Sequence, residues 1–575
     1  MNKIDSEITA PGAMPAREKT GRPASHRADD QITMEIIQSS LQSIADEMFA
    51  AMRKTAMSAI IYEVLDMGTG ITDAHGNLAS SGAGIPGFVG VLDKSVKAII
   101  EAHAREHIYP GDIFITNDPY FGGVTHLNDT VLLMPVFAAD EIVAWTADIA
   151  HWTDIGGAVP GSLSPNAKEI FQEGIRYPAI KLFERGELLQ PVFAIMKANS
   201  RLPTLLEGDM WAGIAAIRIG AKRIQGLVEK YGKPLFLEAM RQFMDYGESV
   251  SRRGLARLPK GRFTIEEEQD SGVTYKAAID ISDDRFVVDL SDNPAQDSGP
   301  NNVSRDDSMV SVQMLFKNVT DPNGVANGGT FRPIELRTRE GTVFAAKAPA
   351  AVGIYYEVGI RLYDLLWRCL APYLHDALPC GHFSSICGTL IGGVNPDTGR
   401  WFSIIEPEVG GWGASHAADG NSAMFSAMHG DTFNCPAEIA ESRYGLYVDQ
   451  LSLNDEPGGE GEFRGGKGIV LDYRVRSDGC FLTASYSRNK HRPWAMAGGR
   501  EGSSNYIRVI RASGETQDFA IADVLQVDRG DVIRIVTANG GGYGDPAKRK
   551  PEAIESDIKN GYLTRERAAA VYNHR

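Results

Sequence analysis

Two short segments hold most of the side chains that could do chemistry. One is Thr116-Asn-Asp-Pro-Tyr-Phe-Gly-Gly-Val-Thr-His126-Leu-Asn-Asp129, the other Asp148-Ile-Ala-His151-Trp-Thr-Asp154-Ile-Gly-Gly157. Between them lie two strand-like runs, Val131–Phe137 and Ile142–Ile149, joined by Ala138-Ala-Asp-Glu141, which reads as a β-hairpin. If the turn centres on Asp140, antiparallel pairing sets Asp129 opposite His151. His126 stands three residues further out, where the glycine-rich approach can fold it back. Two imidazoles and a carboxylate thus converge by strand arithmetic. That donor set suits a divalent transition ion, Zn²⁺ or, with added waters, Mn²⁺ or Fe²⁺. The same residues also read as hydrogen-bonded loop side chains, and the pattern alone leaves both readings open.

Other residues carry weaker signals. Asp118 and Asp154 are placed either to orient the imidazoles or to cap turns. Glu173 with Arg176 reads as a substrate contact or as an ion pair. His416 and Asp419 share a glycine-rich loop, and Cys435 beside Pro436 and Glu438 reads as structural, with only His429 near enough in sequence to serve as a base. Gly461-Glu-Phe-Arg-Gly-Gly-Lys-Gly468 imitates a phosphate-binding loop. It has glycine where a serine or threonine should follow the lysine, and a strand-like run follows it, so it is rejected as a nucleotide site. Gly540-Gly-Gly-Tyr-Gly-Asp-Pro546 reads as a turn cluster that could line a site or a channel.

The elements that must position these residues give an α+β class. One long helix is expected over 31–60 with Asp30 at its start, then helices over 91–106, 205–229, 233–252 and 353–373. The stretch 262–350 reads as β-rich, and so does the glycine-rich stretch 380–545. The expected sheets are mixed, with helical N-terminal and middle segments and a surface helix pair at the C-terminus. The expected divisions are a disordered tail (1–30), an N-terminal metal-site domain (31–258), a β-rich middle domain (259–378), a β-rich C-terminal domain (379–548) and C-terminal helices (549–575).

Composition bounds the function. The 575 residues are 43% hydrophobic and 23% charged, which excludes disordered, collagenous and coiled-coil classes. Fifty-eight basic against 74 acidic residues give −16, which disfavours nucleic acid and anionic membrane surfaces. No run of ~18 uncharged apolar residues predicts a membrane span. The charged first 30 residues contain no apolar signal core, and the five cysteines show no C-x-x-C pair. A cytoplasmic protein with reduced, buried thiols is expected.

The order of motifs resembles the hydantoinase B/oxoprolinase family. D-P-Y-F-G-G-V-T-H-L-N-D, A-H-W-T-D-I-G-G, P-G-S-L-S-P-N-A-K-E-I-F-Q-E-G-I-R, F-R-P-I (331–334), P-E-V-G-G-W-G-A (407–414), N-C-P-A-E (434–438), F-R-G-G-K-G (463–468) and G-G-G-Y-G-D-P (540–546) carry the likeness from about Ile32 to Pro546. The resemblance implies one subunit of an ATP-dependent hydrolase of cyclic amides such as hydantoins, 5-oxoproline or other lactams. The family is also similar to subunits of ATP-dependent acetone and acetophenone carboxylases, so ketone carboxylation is the alternative reaction. A noncatalytic scaffold for an ATPase is a third reading. The resemblance further implies a zinc or manganese ion on Asp66, His126, Asp129 and His151, with His126, Asp129 and His151 as the catalytic centre. Glu63 and Asp73 are substitutes for Asp66, whose neighbourhood departs from the family wording. Asn128 stands where the family usually has proline. ATP would bind an A-type partner subunit, in a hetero-tetramer with two copies of each chain.

Overall fold

The computed structural model describes residues 27–430 and 432–574. The expected tail lies, through residue 26, outside the described residues. The first helix, Arg27–Thr55, is already running at Asp30, so Asp30 does not cap it. This helix stops at Thr55, and a short helix, Ala59–Tyr62, follows. Its N-terminus is held by Asp209, which accepts the N–H groups of Met57 and Ser58 at 2.8 and 3.0 Å.

The sheet that carries the hairpin has seven strands: β1 (Met67–Asp73), β2 (Leu78–Gly84), β3 (Ile113–Thr116), β4 (Asp129–Ala138), β5 (Glu141–His151), β6 (Ile180–Glu184) and β7 (Glu187–Leu188). Their order is β2-β1-β5-β4-β3-β6-β7, with antiparallel neighbours throughout. Alternation along β4 explains why both faces are covered. Leu132 and Val136 join the core under the long helices Arg27–Thr55 and Pro203–Tyr231, while Val131 and Leu133 join Phe114, Trp145 and Leu92 on the other face. The long helices approach closely at Gly220, where a β-carbon would stand 2.3 Å from the Met48 sulfur.

A four-stranded sheet follows, in the order Ile334–Arg337, Phe286–Asp289, Thr274–Ile281, Gly261–Glu268. Its first pair is parallel, so among the described residues this sheet is mixed as expected and the other three are antiparallel. The β-rich reading of 262–350 missed the helix Arg305–Thr320, which packs on this sheet beside Tyr355–Leu370. The missed signal was local: Ser304 accepts the N–H of Asp307, an N-cap written in the sequence as S-R-D-D. Two antiparallel sheets of four and five strands make the C-terminal part, with the helices Pro551–Lys559 and Arg565–Tyr572 after them. Among the described residues no helix is long and apolar enough to cross a membrane, and all five cysteines are free and buried.

The glycine motifs of this part are one backbone knot. Gly411 donates to Ala538, Gly466 to Trp412 and Gly540 to Gly466, all at 2.8–2.9 Å. A β-carbon on Gly540 would stand 2.2 Å from the Trp412 carbonyl oxygen. The turn cluster at 540–546 therefore fastens chain to chain.

Candidate metal centre

Strands β4 and β5 pair with Asp129 opposite His151, and the expected register holds to Val136 opposite Ala144 before slipping at Phe137. The Asp129 N–H donates to the His126 carbonyl at 3.1 Å, which folds His126 back over the strand end. One ligand atom from each of His126, Asp129 and His151 lies within 4.8 Å of the other two. His126 Nε2 is 3.1 Å from Asp129 Oδ1, yet that oxygen has no aligned hydrogen-bond donor.

Neighbouring groups fix the aim of these side chains. His126 Nδ1 donates to the Gly353 carbonyl at 3.2 Å; a carbonyl only accepts, so the proton sits on Nδ1 and Nε2 turns to Asp129. Glu173 accepts the N–H of Gly353 at 2.6 Å and of Val352 at 3.1 Å, holding the peptide that His126 leans on. The Thr125 hydroxyl donates to Asp129 Oδ2. Asn128 donates to the carbonyls of Trp152 and Gly161 at 2.9 and 3.3 Å, tying the loop to the strand that carries His151.

The cluster lines a cavity of about 50 Å³ with Asp66, Tyr355, Tyr356 and His429. Asp66 precedes β1, and its carbonyl accepts the His151 N–H at 3.1 Å, so the carry-over from the family falls on a residue beside the cluster, although its side chain does not join the tight triad. Of the two substitutes, Asp73 caps the turn at the far end of β1 through the N–H groups of His75 and Asn77, and Glu63 ends the helix Ala59–Tyr62. Neither lines the cavity.

The electrostatics are those of a site short of positive charge. Burial, then the neighbouring Asp129, pushes Asp66 well above the carboxylate range. Burial acts on Asp129 too, but His126 and His151 outweigh it and hold that carboxyl below its ordinary value. His126 is raised, because Asp129 outweighs burial, whereas burial and the neighbouring His126 lower His151 to about 3. Asp66 Oδ1, Asp129 Oδ1, His151 Nδ1, His429 Nε2 and both oxygens of Asp307 are buried without a hydrogen bond. Leaving such a group unpaired costs ~1–3 kcal/mol each. Convergent, mutually repelling lone pairs are what a divalent cation takes up, so the residues present fit the expected ion.

Several sequence expectations are corrected. Asp118 accepts the N–H groups of Tyr120 and Phe121 and pairs with Arg176 at 2.7 Å; it orients no imidazole. Asp154 accepts from Gly156, Gly161 and Arg201, so it too is a turn clamp. Both carboxylates are saturated by nearer donors in their own loops. Arg176 is therefore Asp118's partner rather than Glu173's. His416 is exposed beside Asp376, and Asp419 binds Arg549 at 2.7 Å. Burial pushes the Cys435 thiol up to about 12, and its N–H is bound to Glu406, consistent with a structural cysteine. Sequence reasoning missed His429, Tyr355, Tyr356 and Asp307 as neighbours of the centre. They lie 150 or more residues from the hairpin, and no local spacing links them to it.

Residues 30–546 match the Hydantoinase B/oxoprolinase family, and the chain belongs to it. It is 33% identical over 536 residues to an uncharacterized protein of Methanocaldococcus jannaschii, covering 92% of this chain and 93% of that one. It is 28% identical over 576 residues to the caprolactamase subunit beta of Pseudomonas jessenii, covering 94% and 96%. The crystal structure of the ATP-dependent caprolactamase from that organism superposes with a TM-score of 0.87, 26% identity and coverage of 94% and 96%. An acetone carboxylase structure shares the fold at a TM-score of 0.85 and 20% identity, covering 95% and 80%.

Proposed function

We propose that this chain is the metal-holding subunit of an ATP-dependent hydrolase of cyclic amides. The observation that carries the reading is the convergence of His126, Asp129 and His151, with Asp66 beside them, on a cavity where Asp66 Oδ1, Asp129 Oδ1 and His151 Nδ1 have no hydrogen-bond partner. The family membership and the likeness to a caprolactamase subunit supply the substrate class. A divalent ion held there supplies a Lewis acid for a ring carbonyl. The chain's own residues do the rest. Gly353 and Glu173 keep His126 in one tautomer, Thr125 orients Asp129, and Tyr355 with Leu163 and Ile405 wall the cavity against bulk water.

ATP is assigned to a partner subunit. In the loop Gly461–Gly468, the N–H groups of Arg464, Gly465, Gly466, Lys467 and Gly468 are bound by Asp419, Gly459, Trp412, Ser422 and Asn539. A phosphate cradle needs such groups free.

The test is metal analysis together with turnover. The purified complex should hold about one transition ion per chain and open a lactam only with ATP and the partner. His126→Ala and His151→Ala should each lose the ion. Stoichiometric metal in the double variant would sink the assignment. Carboxylation of a ketone with bicarbonate and ATP, without lactam opening, would replace the hydrolase by the carboxylase.

A further inference from the structure

The metal cavity has room for a carbonyl group but not for a whole ring. About 50 Å³ is open there, while an apolar cavity of about 150 Å³ is needed to hold benzene. A second cavity, of about 210 Å³, lies behind the same wall. The first two turns of the helix Tyr355–Leu370 form that wall: Tyr355 and Tyr356 face the small cavity, Glu357 and Arg361 the large one. The segment 385–388 completes it. Ile386 and Gly388 line the small cavity, while the Ser385 hydroxyl and the Ile386 N–H donate to Glu357 at 2.9 and 2.8 Å.

The large cavity is a built site. Arg361 and Arg488 line it at 4% and 2% exposure. Asp270 clamps the loop that carries Arg488 by accepting the N–H groups of Asn489, Lys490 and His491 at 2.8–2.9 Å. Arg488 itself has φ +61°, and Ser384 and Cys387 in the wall have φ +42° and +50°. Such strain in non-glycine residues gathers at functional sites. The Arg488 Nε–H is buried with no partner, and the Tyr275 hydroxyl and Asn301 amide, also in the lining, make no hydrogen bond to protein. Of opposite sign are Glu357 in the wall, the exposed Asp297, and Asp270, whose oxygens are taken up by the loop N–H groups.

Hydrolysis of a ring amide breaks the C–N bond. The water oxygen goes to the carbonyl carbon and both its hydrogens end on nitrogen, which leaves a chain with a carboxylate and an ammonium group. A neutral lactam has no use for charges of both signs; this product has. Resting on the hydrolase reading above, we infer that the 210 Å³ cavity binds the open-chain amino acid, its carboxylate toward Arg488, Asn301 and Tyr275 and its ammonium toward Asp297 and Glu357.

The test is calorimetry on the full chain with its partner, using 4-aminobutanoate and 6-aminohexanoate as probes and hexanoate, hexylamine and caprolactam for comparison. One of the two amino acids should bind at least about tenfold more tightly than all three comparison compounds. Tyr275→Phe and Asn301→Ala should each weaken it about five- to twentyfold with metal content unchanged. Both are mild changes outside the buried ion pairs, and circular dichroism confirms folding. Equal binding of caprolactam, no binding of either amino acid at millimolar concentration, or affinity unmoved by both variants overturns the inference. A lactam-opening assay on the same preparations separates the two claims. Zwitterion binding at this cavity without ring opening removes the hydrolase reading and leaves the cavity standing. Ring opening without zwitterion binding removes the cavity alone.

Discussion

Two of the buried charge clusters of this protein are handled in opposite ways. Around Asp364, charge meets charge. Asp364 accepts from Arg361 at 3.0 Å, from Arg488, and from the Trp494 indole at 3.2 Å, while Glu267 pairs with the same two arginines at 2.5 and 2.8 Å. Burial pushes Asp364 up, but Arg488 and its neighbours outweigh that and hold it far below the carboxylate range. Around Asp129, carboxylates and imidazoles meet one another with no arginine among them, and oxygens stay unpaired. The first cluster joins the helix Tyr355–Leu370 to the loops 267–270 and 488–494, and its carboxylates and guanidinium groups pair with one another, although the Arg488 Nε–H stays free. The second is complete only with something added. Pairing, rather than burial, separates the two clusters.

Breaking the closed cluster should have the largest effect. Asp364→Ala leaves two buried guanidinium groups short of a partner and should cost ~3–5 kcal/mol in denaturant unfolding, with metal content per folded chain unchanged. A loss below ~1 kcal/mol would erase the contrast.

At the open cluster the effect should depend on the ion. His151→Ala in metal-loaded protein should lower stability by roughly 3–4 kcal/mol at saturating metal, the linkage term for an ion present at several hundred times its Kd. In chelator-treated protein the same change should move stability by under ~1 kcal/mol, since the imidazole then has no partner to lose. Equal losses in both states would make this cluster structural like the other.

Acidity offers a third comparison. Burial, opposed by the Val352 and Gly353 N–H groups, raises Glu173 from 4.5 to about 7. The folded state then binds a proton that the unfolded state has released between these values, so stability is present at low pH and falls as pH rises from 4.5 to 7. The group's share is about 3 kcal/mol. Glu173→Gln, which keeps an acceptor for Gly353, should flatten that slope; an unchanged slope in the variant refutes the assignment to Glu173.

The smallest effects should come from the turn clamps. Asp118→Asn and Asp154→Asn should each cost ~1–2 kcal/mol in unfolding and alter metal affinity less than about threefold, because their partners are loop N–H groups and arginines. A fall of metal affinity by ~10–100-fold would place them behind the ligands after all.

Much of this was legible in the residues. The strand-like runs Val131–Phe137 and Ile142–Ile149 wrote the hairpin, and its centre at Asp140 set Asp129 against His151, because antiparallel register follows from turn position. His126, Asp129 and His151 could be paired on paper for that reason, and the glycine-rich turn before them supplied the fold-back. The helix Arg305–Thr320 was misread although Ser304 announced it, since its apolar residues show no clean helical stripe among strands on both sides. Asp118 and Asp154 had the right residue type close in sequence to the centre, but sequence distance says nothing about which donor lies nearest.

The sequence by itself determined the family, the α+β class, the hairpin and the convergence of His126, Asp129 and His151, all of which depend on local periodicity or on motif order. Only the tertiary structure decided that His429, Tyr355, Tyr356 and Asp307 surround that centre. It also decided that the helix Tyr355–Leu370 divides a small cavity from a large one, and that the phosphate-loop imitation is tied into a knot with Trp412 and Gly540. These depend on contacts between segments tens to hundreds of residues apart, and such contacts are set by which buried surfaces and backbone groups satisfy one another, a property of the packed chain as a whole.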